Sequence, residues 1–354
     1  MPPSRTLSSD QPYRPAWWLR NAHLQTLWGP LLRRPPAVDT RFDRWKMPDG
    51  DSVALERLVA EPGAPRLVLL HGLEGSSRSP YIRGMLAGAQ TRSWSADVLV
   101  FRGCGGQANE ARRFYHSGET TDLHEVLRRI RVEDPAAPLL VAGFSLGGNV
   151  LLKWLGELGP EAGVVAAAAV SVPYDLERGA RHIHSGFAQV YERRFLASLQ
   201  RKAIAKRARF PDLPSDEAVL SARSIFDFDD RVTAPVHGFL DASDYYSKSS
   251  ALGWLSEIEV PTLLLSARDD PFLPPEVLDK VASTAASNAH LHLEIVPSGG
   301  HVGFVEGAVP WRARYYAERR ALTFLASALA ASRHEARKDT SPFTRHSPPE
   351  NQNA

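Results

Sequence analysis

The chain has 354 residues, 43% hydrophobic and 23% charged, the make-up of a globular protein with room for one large domain or two small ones. A formal net charge of +2, with the basic residues scattered, excludes a nucleic-acid-binding stripe. The single cysteine, Cys104, excludes an internal disulfide and a Cys-rich zinc site, and it fits a reducing compartment. The N-terminus, Met1-Pro2-Pro3-Ser4-Arg5, lacks the apolar core of a secretory signal. No run approaches the ~20 apolar residues of a membrane span. A cytoplasmic location is therefore expected.

Residues 1–15 are rich in Pro, Ser and Arg and are expected to be mobile. Leu24, Leu27 and Trp28 share a helical face, which predicts a short helix docked on the body. Thr40 to Met47 and Ser52 to Val59 read as a hairpin around the turn Pro48-Asp49-Gly50-Asp51. From Arg66 the pattern alternates between apolar strands and helices. Arg66–Leu70 is followed by a helix over Tyr81–Thr91. Ala96–Phe101 is followed by a helix over Asp122–Ile130, with Asp122 and Glu125 spaced as a capping box. Leu139–Phe144 leads into a helix carrying Val150, Leu151, Trp154 and Leu155. Gly163–Val172 is another buried strand. Strands this apolar, separated by helices, predict a parallel sheet covered on both faces.

The alternation breaks between Pro173 and Glu259. Ser185–Arg209 and Ser215–Phe226 read as helices, and Val236–Leu240 as the only stretch with strand character. An insertion here, about residues 174–259, is read as a lid over the site rather than packing on the sheet edge. The basic side chains Arg193, Arg194, Arg201, Lys202, Lys206, Arg207 and Arg209 read as a solvated face; weak contact with anionic headgroups is the alternative. A strand at Pro261–Ala267, a helix at Pro275–Ala285, a strand at His290–Val296 and a closing helix at Trp311–Ala331 complete the domain, residues 16–332. That last helix has Tyr315, Leu322, Leu325 and Leu329 on one face. Residues 333–354 lack periodicity and are expected to be disordered.

The chemistry centres on Gly143-Phe144-Ser145-Leu146-Gly147, a G-x-S-x-G between a strand and a helix. A turn this sharp leaves no space for a Cβ two residues either side of its centre, and it lifts the central Oγ clear of the sheet. A serine hydroxyl needs a base within reach and a third group to hold that base. In a doubly wound sheet the partners follow in the order acid, then histidine. After the strand ending at Ala267 come Asp269 and Asp270. Asp270 is preferred because it directly precedes a Pro-x-x-Pro turn, with Asp269 left to cap that turn; Asp241 or Asp244 is the less typical alternative. After the last strand comes His301, flanked by glycines. The oxyanion donors are expected to be the backbone N–H groups of Leu146 and Leu73. His71 reads as a structural side chain beneath the site. Cys104 lacks a histidine to serve it as a nucleophile. No metal-ligand spacing appears, so neither metal nor cofactor is expected.

With these residues in place, the chain resembles the α/β-hydrolase superfamily and, more narrowly, its type-4, YheT-like family. The resemblance rests on Asn21-Ala22-His23-Leu24-Gln25-Thr26, His71-Gly72-Leu73-Glu74-Gly75, Phe101-Arg102-Gly103-Cys104-Gly105-Gly106 and Tyr115-His116-Ser117-Gly118. It rests also on Gly143 to Asn149, Asp269-Asp270-Pro271-Phe272 and Gly300-His301-Val302-Gly303-Phe304. It covers roughly residues 15–330. It implies an α/β-hydrolase fold with a Ser145, Asp270, His301 triad. The implied activity is hydrolysis of short- to medium-chain carboxylic esters, with phospholipase or acyltransferase activity as the alternative. The expected partner is a small-molecule acyl ester, and oligomeric state is left open. A catalytically silent binding protein of the same fold is the rival from another class.

Overall fold

Apolar runs bounded by turn residues become the middle strands of one sheet. The computed structural model describes residues 11–339 except residue 107. Helix α1 (Ala22–Leu32) precedes the hairpin β1 (Arg41–Lys46) and β2 (Ser52–Leu58). Then β3 (Arg66–Leu70), α2 (Pro80–Thr91), β4 (Ser95–Val100), α3 (Thr121–Glu133), β5 (Leu139–Phe144), α4 (Leu146–Leu158) and β6 (Ala166–Val170) alternate. A helical block follows: α5 (Leu176–Ile183), α6 (Gln189–Arg207), α7 (Asp216–Ser221), α8 (Ile225–Phe228), α9 (Ala234–His237) and α10 (Ala242–Ser249). The alternation resumes with β7 (Thr262–Ala267), α11 (Pro275–Ser287) and β8 (Leu291–Val296). A small pair, β9 (Val305–Glu306) and β10 (Arg314–Tyr315), leads into α12 (Tyr316–Asp339).

The eight-stranded sheet has the order β1-β2-β4-β3-β5-β6-β7-β8. β1–β2 and β2–β4 pair antiparallel and every other pair is parallel. The period of two along each strand divides the core. Val68, Leu70, Leu139 and Val141 face α3, α4 and α11. Leu67, Leu69, Leu140, Ala142 and Phe144 face α2 and α12. Strand order reverses between β3 and β5, because β4 lies outside β3. A ligand crevice forms at such a switch point, beyond the carboxyl ends of the strands. Leu70 pairs with Gly143 across it, so the loops at His71 and Ser145 leave the sheet at one level. Ala267 pairs with Val296, which brings the loops of Asp270 and His301 together in the same way.

Several expectations are corrected. In α1 the buried residue is Gln25, while Leu24 is 53% exposed. The Gln25 amide donates to Leu19 O at 2.9 Å and accepts from Val305 N–H at 2.7 Å, so the helix docks through a satisfied polar group. Asp122 forms no capping box: α3 starts one residue earlier, and the Thr121 N–H donates to Glu119 Oε1 at 2.8 Å. Val236–Leu240 is not a strand; α9 ends at His237 and is followed by Gly238, where φ is +78°. Tyr315 belongs to β10 and not to the closing helix. That helix runs to Asp339, because residues 333–339 contain good helix formers and no Gly or Pro. Residues 340–354 of the expected tail lie outside the described residues, as do 1–10 at the other end. Residues 13–16 are not loose. The Tyr13 ring packs on Phe304 and Tyr316, and the Ala16 N–H bonds Val305 O at 2.9 Å.

Candidate active site

Ser145 sits between β5 and α4 at φ +52°, a conformation that a side-chain-bearing residue keeps only when its surroundings enforce it. The enforcement is steric. A Cβ on Gly143 would lie 2.4 Å from Gly147 O, and one on Gly147 would lie 2.5 Å from His71 O. The Ser145 N–H is held by Val170 O at 2.8 Å.

Ser145 Oγ lies 2.8 Å from His301 Nε2. The other ring nitrogen, Nδ1, lies 2.9 Å from Asp270 Oδ2 and 3.1 Å from Oδ1. Asp270 is 3% exposed, and its Oδ1 also accepts the Phe272 N–H at 2.9 Å. A carboxylate at Nδ1 sets the tautomer: the proton sits on Nδ1, and Nε2 is free to accept from the serine. The hydroxyl, imidazole and carboxylate therefore form a continuous hydrogen-bonded chain.

Asp269 takes a different post. Its Oδ1 accepts the N–H groups of Gly299 and Gly300, at 2.8 and 2.9 Å, and so ties the β7 loop to the β8 loop. Its carboxyl is raised above the usual carboxylate range by burial. Asp241 caps α10 by accepting the Asp244 N–H at 2.8 Å, and Asp244 pairs with Lys248. Neither joins the chain.

The glycines around His301 serve close approach. A Cβ on Gly300 would lie 2.3 Å from Ala22 O, and one on Gly303 would lie 2.5 Å from Gln25 O. Helix α1 presses on the loop there, and Thr26 Oγ1 accepts the His301 N–H at 2.9 Å. Sequence reasoning missed Thr26 as a support for His301. Its only trace was its place in the motif beginning at Asn21.

Beyond β3, Leu73 and Leu146 line the same cavity as Ser145, and among the described residues neither backbone N–H donates to a protein acceptor. His71 lies beneath them, fully buried. Its Nε2 accepts the Phe101 N–H at 3.1 Å, so its Nδ1–H donates to Gly72 O at 2.8 Å. Burial pushes its pKa down to about 4. Between the ordinary 6.5 and about 4, the unfolded chain binds a proton that the folded chain refuses, so stability falls as pH falls through that window. At pH 5 this costs about 2 kcal/mol, from 1.5 units at roughly 1.4 kcal/mol each. The drop in Tm between pH 7 and pH 5 is expected to be smaller in His71→Gln, whose amide both donates and accepts. An unchanged drop would show that His71 is not its source.

A cavity of about 790 Å³ opens over Ser145, of the size that encloses a small organic molecule. The helical block between β6 and β7 forms its far wall through Tyr191, Phe195 and Ser198 of α6. The basic residues of α6 and the turn after it do not form one solvated face. Arg193, Arg194, Arg201 and Arg209 are exposed and Arg207 pairs with Asp216. Lys202 pairs with Glu74, and the buried Lys206 donates to Asn109 Oδ1 and Arg113 O, both at 2.7 Å. Lost solvation lowers the Lys206 pKa to about 8. The Cys104 thiol is pushed up to about 11 by burial, which suits an inert side chain. Arg102 binds Asp49, Asp51 and Asp122 and pins the hairpin turn to α3.

The family model for the alpha/beta hydrolase fold matches residues 65–308. The chain belongs to the α/β-hydrolase family. This hydrolase is 41% identical to YheT of Escherichia coli, over 85% of its own length and 89% of that protein's, which supports the YheT-like branch. It is 30% identical to the phospholipase ABHD3 of Mus musculus, over 86% of this chain and 75% of that one. It is 28% identical to the monoacylglycerol lipase of Saccharomyces cerevisiae, over 74% of this chain and 59% of that one. The esterase Pf2001 of Pyrococcus furiosus shares its fold at a TM-score of 0.55 and 15% identity, over 83% of this chain and 96% of that one. No helix among the described residues is long and apolar enough to cross a membrane.

Proposed function

We propose that the chain is a serine carboxylic-ester hydrolase that cleaves short- to medium-chain acyl esters through an acyl-enzyme. The observation that carries this reading is the unbroken chain from Ser145 Oγ through His301 to Asp270, with contacts of 2.8 and 2.9 Å. His301 Nε2 takes the Ser145 proton as Oγ attacks the acyl carbonyl. The Leu73 and Leu146 N–H groups receive the charge that develops on the carbonyl oxygen. Asp270 holds the ring and stabilises its charged form. His301 then protonates the departing alcohol, and a water activated by the same nitrogen releases the acid. The helical block between β6 and β7 serves as a lid that keeps bulk water from the reacting ester. The names of the mouse and yeast relatives, a phospholipase and a monoacylglycerol lipase, support an acyl ester as the substrate class.

The test pairs a panel of p-nitrophenyl esters, from acetate to palmitate, with labelling by a fluorophosphonate. Turnover is expected to peak between butyrate and octanoate, and the probe is expected on Ser145. A chain that neither turns over an ester nor takes the label would be a binding protein of this fold.

A further inference from the structure

We propose that Glu74 is a positioning residue that fastens the oxyanion loop to helix α6, so that the Leu73 N–H is aligned only while α6 is seated. This deepens the ester-hydrolase reading and rests on it.

Residues 72–75 form a tight turn in which the Gly75 N–H bonds Gly72 O at 3.0 Å. The Gly72–Leu73 peptide is therefore held by its carbonyl, which also accepts from His71 Nδ1 at 2.8 Å. Its N–H, on the opposite side, is left pointing away from both donors. The third residue of this turn, Glu74, has φ +54°, a conformation that in tight turns usually falls to glycine. Four contacts hold this side-chain-bearing residue there. The Glu74 N–H donates to Tyr115 Oη at 3.0 Å, and the Tyr115 hydroxyl donates to Glu74 Oε1 at 2.8 Å. Lys202 Nζ donates to Oε1 at 2.6 Å, and the Ser198 hydroxyl donates to Oε2.

Ser198 and Lys202 stand one turn apart on α6, facing the site. The Glu74 side chain is 11% exposed, so its charge is shielded from water and depends on these donors. Of the Glu74 partners, Tyr115 belongs to the body of the domain. Ser198 and Lys202 tie the loop to the helical block, and withdrawing α6 removes the ammonium that balances the carboxylate. The seating of α6 thereby sets the geometry of the oxyanion donor on the preceding residue.

The experiment compares steady-state kinetics on p-nitrophenyl butyrate for wild type, Lys202→Met, Glu74→Gln, Lys202→Arg and the Glu74→Gln/Lys202→Met double variant, with Tm measured for each. Lys202→Met and Glu74→Gln are each expected to lower kcat about tenfold, short of the ~10²–10³ for deleting an oxyanion donor outright. KM is expected to stay within about twofold, since the donor acts on charge absent from the bound ester. Lys202→Arg should restore kcat, and the double variant should lose no more than either single. Wild-type kcat in folded Lys202→Met, a change confined to KM, or a double variant equal to the product of the singles overturns the proposal. Ser198→Ala supplies a second, milder break of the same joint should Lys202→Met fail to fold. A wild-type protein unlabelled at Ser145 would defeat the hydrolase reading itself, whereas a labelled wild type with indifferent Lys202→Met defeats only the latch.

Discussion

Ser145→Ala is expected to lower p-nitrophenyl butyrate turnover by about 10⁴-fold or more and to abolish fluorophosphonate labelling, leaving Tm within a few degrees of wild type. The size follows from what is removed. With no Oγ there is no acyl-enzyme, and only a water placed near His301 Nε2 can attack. The fold tolerates the change because the turn at 145 is imposed by its neighbours: alanine can occupy the φ of +52° at a cost already met for serine. The hydroxyl's only protein partner among the described residues is His301. Turnover that survives at wild-type rate would remove Ser145 from the reaction.

The second large effect separates the two neighbouring acids. Asp270→Asn is expected to reduce kcat by about 10³–10⁴-fold. An amide at this position can donate to Nδ1, which favours the tautomer carrying its proton on Nε2, and that nitrogen then cannot take the serine proton. Asp269→Asn leaves the ring alone. Its side-chain oxygen can still accept from Gly299 and Gly300, so kcat should stay within about tenfold of wild type. The reverse ranking of the two variants would assign the acid to Asp269. Measuring kcat and Tm for both variants separates a tautomer effect from a loosened loop.

Much of the fold was legible because the signals are local. Leu139–Phe144 is apolar throughout and bounded by turn residues, and all six of its residues are buried. The same local logic locates strand ends, and strand ends are where Ser145, Asp270 and His301 lie. What the sequence does not carry is which side of a helix meets the protein. Spacing groups Arg193, Arg194, Arg201, Lys202 and Lys206 on one basic helix, but only packing turns Lys202 toward Glu74 and buries Lys206 beside Asn109. In α1 the apolar stripe pointed to Leu24, whereas Gln25 goes inside because Leu19 and Val305 present backbone groups that an amide satisfies and leucine does not. The flanking glycines at 300 and 303 were visible, but the helix pressed against them is distant in sequence.

That helix has a temporal consequence. Thr26 and Gln25, near the start of the chain, brace a loop about 275 residues later. During synthesis the elbow and its sheet neighbours emerge well before the imidazole. When the last loop does arrive, its cradle has long been waiting. On the proposed mechanism, a product cut short before residue 301 would carry Ser145 without the imidazole that activates it.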